Sequence, residues 1–154
     1  MASEIGALPP LPNPPPPSSP GVRAAMRGNR GANTRPEVAL RSALHRLGLR
    51  FFKNRRPVRG VRHRADIVFP TRQIAVFVDG CFWHCCPEHG KTPQTNSEYW
   101  RAKLDRNRER DERVDLLLTA AGWQVIRVWE HEHPESAAER VHAAIEADRT
   151  VERP

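Results

Sequence analysis

The sequence predicts an α/β domain built on a mixed sheet, and three observations carry that reading. Two apolar runs, Ala65-Asp66-Ile67-Val68-Phe69 and Ile74-Ala75-Val76-Phe77-Val78, stand on either side of a short turn, as paired strands do. A third strand-like run, Trp123 to Trp129, is separated from them by a long helical stretch. Helix-periodic segments open and close the domain. The order is therefore helix, two or three strands, loop, helix, strand, helix.

Residues 1–25 read as a disordered tail. MASEIGALPPLPNPPPPSSP is rich in proline, almost uncharged and poor in residues able to form a core. It lacks the basic start and apolar run of a secretory signal. One domain is expected over residues 26–150. Thr34 and Glu37 have the spacing of a capping box, and Leu40, Ala43, Leu44 and Leu47 follow at helical intervals until Gly48 stops the run. Pro70 to Gln73 is a turn, and the nearly unbroken apolar run after it suits a buried central strand. Residues 79–97 form a loop rich in Cys, His, Pro and Gly. A helix over roughly 98–121 should bury Val114, Leu117, Leu118 and Ala121, with Gly122 ending it. Trp123 and Trp129, in strand context, read as core. Pro134 starts a short last helix carrying Ala137, Ala138, Val141 and Ile145.

The charge is uneven. The chain carries +7. Residues 21–64 hold thirteen Arg and Lys against one acid, Glu37, whereas residues 65–154 are net acidic. An Arg-dominated block points to a polyanion such as nucleic acid, although a charge run also serves as a plain solvated face. No stretch is long and apolar enough to span a membrane. All three cysteines lie in Val78-Asp79-Gly80-Cys81-Phe82-Trp83-His84-Cys85-Cys86-Pro87-Glu88-His89-Gly90. That is a poor disulfide framework and a good metal or thiol cluster, so a reducing, cytoplasmic setting is expected.

Two donor sets stand out. If the 65–69 and 74–78 strands pair, Asp66 and Asp79 approach at one end of the sheet, with Glu37 near them on the first helix. Such oxygen donors suit Mg²⁺. The same acids also read as a capping residue and two strand delimiters. Cys81-x4-Cys86-x2-His89 has close spacing for a zinc knuckle that needs one more ligand. Cys85 is the alternative to Cys86, and Glu88 to His89. His63, among arginines, is a phosphate contact or simply exposed.

Asn33-Thr34-Arg35-Pro36-Glu37, Ala65-Asp66-Ile67-Val68-Phe69 and Phe77-Val78-Asp79-Gly80-Cys81-Phe82-Trp83-His84 resemble successive motifs of the very short patch repair (Vsr) endonucleases. So do Tyr99-Trp100, Asn107-Arg108-Glu109-Arg110-Asp111 and Gly122-Trp123-Gln124-Val125-Ile126-Arg127-Val128-Trp129-Glu130. The blocks are in order and cover roughly residues 26–132.

The resemblance implies a restriction-endonuclease-like fold of the PD-(D/E)XK type, with a structural zinc site. It implies a Mg²⁺-dependent enzyme that nicks DNA on the 5′ side of the thymine of a T:G mismatch left by deamination of 5-methylcytosine. Asp66 would be the central metal-binding carboxylate, His84 the catalytic histidine, and Glu37 a carboxylate acting on metal through water. Val78 would offer its carbonyl to the metal. Asp79 falls where some members have histidine, so it is a direct ligand or a water-mediated helper. His131 would complete the zinc site of Cys81, Cys86 and His89, with His133 as its alternative. Phe82, Trp83 and Trp100 would wedge into the DNA beside the mismatch. The same likeness suggests a monomer, association with the nucleoid and a link to mismatch-repair proteins. Two other readings share these residues: a restriction- or homing-type endonuclease that cuts both strands, and a zinc-stabilised DNA-binding module without catalysis.

Overall fold

The computed structural model describes residues 10–21, 23 and 31–151. Of the tail expected over residues 1–25, only 10–21 and 23 fall within it. The elements are α1 (Arg35–Arg46), β1 (Phe52–Arg55), β2 (Ala65–Phe69), a 3₁₀ turn (Pro70–Arg72), β3 (Ile74–Asp79), α2 (Ser97–Ala120), β4 (Gln124–Trp129) and α3 (Pro134–Thr150).

The four strands form one sheet in the order β1-β2-β3-β4. The β1–β2 and β2–β3 pairs are antiparallel, and β3–β4 is parallel. A parallel pair needs a crossover, and α2 supplies it. The β2–β3 turn is tight because Gln73 takes a left-handed backbone, φ 51°. Its N–H then bonds the Pro70 carbonyl.

Helices cover both faces. On one, α1 and α3 bury Leu40, Leu44, Val141 and Ile145 against Ile67, Ile74, Val76, Ile126 and Val128. On the other, Val114 and Leu118 of α2 pack on Ala65, Val68, Ala75 and Phe77. β3 is buried along nearly its whole length, as its apolar run requires.

Several local features differ from the pattern the sequence suggests. Thr34 is the N-cap of α1, but its hydroxyl makes no cap bond. It donates instead to Glu37 Oε1 at 3.0 Å, while Glu37 Oε2 accepts the Asn33 N–H at 2.7 Å. The Glu37 carboxylate thus serves the residue before the cap and draws the Thr34 hydroxyl away from the helix end. Leu117 is 42% exposed and Ala121 is exposed. The buried stripe of α2 runs from Leu118 and Val114 back through Asp111, Asn107 and Leu104, and its middle is polar. β1 is a strand although all four of its residues are exposed, so it shows no apolar alternation. Lys53 and Arg55 fit an edge strand, where charge discourages further pairing. The last helix is long, at 17 residues. Trp123 and Trp129 are only half-buried: Trp123 flanks the core beneath α2, and Trp129 stacks on the His131 ring.

Candidate active site

The carboxyl end of β3, the start of β2, the N-terminal turn of α1 and the middle of α2 enclose a cleft of about 660 Å³. Glu37, Asp66, Val78, Asp79, Phe82, Trp83, His84, Asn107, Asp111, Arg127 and Glu130 line it. His63, Arg64, Lys103 and Arg110 add positive charge to its walls. At the His63 ring, burial and then the Arg110 charge hold the pKa below the usual histidine value.

β2–β3 pairing brings Asp66 beside the next strand, where its Oδ2 accepts the Val78 N–H at 2.7 Å. Burial pushes the Asp66 carboxyl up to about 6, and the Glu37 and Asp79 carboxylates push the same way, against the Val78 hydrogen bond and the His84 ring. Among the described residues Asp66 has no Lys or Arg partner. Glu37, 6% exposed, has Arg41 at 3.9 Å. Asp79, 4% exposed, has both oxygens 2.9–3.0 Å from Arg127 Nη1. The uncompensated group is Asp66. A hard oxygen donor half-buried among like charges fits a divalent cation.

His84 stands on the loop after β3. Its Nδ1 lies 2.5 Å from Asp111 Oδ2 and 3.7 Å from Asp79 Oδ1. Burial opposes the charge on Asp111, but the hydrogen bond and charge of His84, helped by Arg127 and Arg110, hold its carboxyl below the ordinary value. With Nδ1 engaged, Nε2 is the ring atom left for the cleft. Phe82, Trp83 and Trp100 form one aromatic cluster, with ring centroids 4.9, 5.5 and 6.0 Å apart. Lys103 Nζ lies 5.3 Å from Trp83 and 5.5 Å from Trp100. Asn107 Nδ2 donates to the Trp83 carbonyl at 3.1 Å and so ties the aromatic loop to α2.

On the far side of that loop, donor atoms of Cys81, Cys86, His89 and His131 all lie within 4.8 Å of one another. Cys81 Sγ is 3.1 Å from His131 Nδ1, and Cys86 Sγ is 3.7 Å from it. Ligands of a tetrahedral zinc, bonded at about 2.3 Å to sulfur and 2.0 Å to nitrogen, stand at about such spacings. The loop folds back tightly. The Gly90 N–H bonds the Cys86 carbonyl at 2.8 Å, and a Cβ at Gly90 would meet that oxygen at 2.5 Å, so only glycine fits. Cys85 lies outside the cluster at φ 55°, with its sulfur near the Leu104 carbonyl. Glu88 stands 3.5 Å from His131 Nε2, and His133 pairs with Glu135.

Sequence reasoning gave no role to Asp111, Asp115 or Arg127. A signal was present: Asn107, Asp111 and Asp115 recur every four residues, one face of a helix, where apolar residues would be expected.

Known proteins share this sequence over much of its length. Residues 20–89 match the family described as DNA mismatch endonuclease Vsr. The type II nicking enzyme V.NaeI of Lentzea aerocolonigenes is 52% identical over 129 residues, covering 82% of this chain and 78% of its own. V.XorIIP of Xanthomonas oryzae, also a type II nicking enzyme, is 44% identical over 71% of this chain and 79% of its own. The DNA mismatch endonuclease Vsr of Escherichia coli is 36% identical over 68% of this chain and 66% of its own. Ordered motifs, a carboxylate–histidine cleft and this similarity converge: the chain belongs to the Vsr family of DNA endonucleases.

Proposed function

We propose that this protein is a Mg²⁺-dependent endonuclease that nicks one strand of duplex DNA 5′ to the thymine of a T:G mismatch. The observation that carries the reading is the juxtaposition, in one cleft, of the Asp66 carboxylate, which has no Lys or Arg partner among the described residues, the Asp111-bound His84, and Phe82 and Trp83, which pack against Trp100. Asp66 and the Val78 carbonyl would hold the ion, with Glu37 reaching it through water. When bound, Mg²⁺ supplies charge neutralisation on the phosphate and a more acidic water. His84 Nε2 takes the proton of the attacking water, while Asp111 fixes the ring and supports its positive charge. Lys103, Arg110 and Arg64 hold the DNA phosphates. The aromatic cluster inserts between base steps, and a mispair lowers the cost of that unstacking.

Cys81, Cys86, His89 and His131 form a closed, structural zinc site. Two thiolates and two imidazoles suit that ion, and no ligand position is left for substrate. The relatives named as nicking enzymes support cleavage of one strand.

Single-turnover cleavage of a strand-labelled duplex, T:G against T:A, tests the reading. One nick on the T strand of the mismatched duplex alone is expected, and it should be lost in EDTA. Trp83→Ala should weaken binding to mismatched duplex by about 1–3 kcal/mol, the scale of one base–aromatic stack, with little effect on matched duplex. Cleavage of both strands of matched DNA would assign restriction-type activity instead.

A further inference from the structure

The guanidinium of Arg127, on β4, touches two neighbouring elements at once, β3 and α2. Its Nη1 holds both oxygens of Asp79 on β3. Its Nε and Nη2 grip Asp115 on α2 at 2.7–3.1 Å, and Nη2 also reaches the Asp111 carbonyl at 3.3 Å. The group lies over the Phe77 ring, 4.7 Å from its centroid. Burial disfavours its charge, but the two carboxylates more than offset that. Asp111 and Asp115 are one helical turn apart, so Arg127 pins the turn of α2 whose side chain meets His84. α2 otherwise rests on the sheet here through little more than Val114 and Leu118.

We infer that Arg127 is a positioning residue: it sets α2 against the sheet so that Asp111 meets His84, and it withdraws Asp79 from the ligands of the divalent cation. The cation is left with Asp66 and the Val78 carbonyl. The inference rests on the cation reading of the cleft. An arginine fork is suited to this role, because its donors are fixed in a plane and a lysine cannot reach two carboxylates and a carbonyl together.

The test uses the full chain with bound nicked duplex, and Mn²⁺ binding read by electron paramagnetic resonance. Asp66→Asn should lose the Mn²⁺ site, while Asp79→Asn should keep the affinity of the wild type. Loss in both variants would restore Asp79 as a ligand and overturn the inference. Loss in neither would remove the cation reading itself. Single-turnover nicking at saturating DNA and Mn²⁺ gives the second arm. Arg127→Met should slow it by about 10²-fold, the scale of a small misplacement of a catalytic group, with DNA affinity unchanged. Arg127→Lys should recover part of the rate. Should Arg127→Met fail to fold, Asp115→Asn carries the same expectation, since it loosens α2 while leaving the Arg127–Asp79 contact in place. Folded Asp115→Asn and Arg127→Lys proteins with the wild-type rate at saturation would sink the positioning role.

Discussion

Asp66 is costly to ionise. It is half-buried, faces two carboxylates and has no Lys or Arg partner among the described residues, and its pKa rises from 3.8 to about 6. The folded chain therefore holds a proton that the unfolded chain has released between those values. Stability of the metal-free protein should fall as pH rises through that window, and the deficit, about 2–3 kcal/mol, is complete above it. Asp66→Asn removes the deficit. In EDTA at pH 8 the variant should melt higher than the wild type, the advantage should vanish below about pH 4, and in Mg²⁺ its nicking should be abolished. Melting curves that differ equally at every pH would show that ionisation of Asp66 is not the cause. The Cys/His cluster was readable because Cys81, Cys86 and His89 are close in sequence, so spacing alone suggested that they meet. Asp111 and Arg127 were not, since their partners are 27 and 48 residues away and only the fold brings them together.

Elements differ in how plainly the sequence announces them. β3 and α3 follow their apolar patterns. β1 does not, because an exposed edge strand needs no buried face and is held by its ladder to β2. On α2 the pattern misleads in a useful way: the face toward the cleft is polar, so Leu117 mimics a core position it does not occupy. A helix whose inner stripe is given over to Asn107, Asp111 and Asp115 must be secured by other means. The loop of residues 80–96 is one, since its Cys81 and Cys86 reach His131 beyond β4. Zinc there would clasp the ends of β3 and β4 together. Purified protein should hold one tightly bound zinc by elemental analysis. Cys86→Ala should lower both zinc content and melting temperature, because binding free energy at such a site contributes directly to folding. Wild type that is free of zinc and fully stable would refute this.

At the scale of the molecule, chemistry and bulk stability lie on opposite faces of the sheet. The α1–α3 side is apolar and remote from the cleft, apart from the first turn of α1, whereas the α2 side carries most of the site. Positive charge is also segregated. Arg50, Lys53, Arg55, Arg56, Arg59 and Arg62 are exposed, have no ion-pair partner among the described residues, and lead along β1 to Arg64 at the cleft wall. Such an edge is expected to follow duplex phosphates beyond the reacting base pair. Reversing Arg55, Arg56 and Arg59 to Glu should weaken matched and mismatched duplexes alike. Removal of about three phosphate contacts should flatten the slope of log affinity against log salt by about 2.7. An unchanged slope would make this edge a solvated face. The spacing of Asn107, Asp111 and Asp115 also bears on how this protein can change length over evolutionary time. Inserting one residue among them would turn everything downstream by about 100°, so that the Trp83 carbonyl, His84 and Arg127 could no longer all keep their helical partners. The segments 56–64 and 91–96 carry no such phase relation and lie outside the helices and strands. Natural insertions and deletions should collect there and be absent from 107–115. A gap inside that window would then mark a descendant that has given up the nicking chemistry.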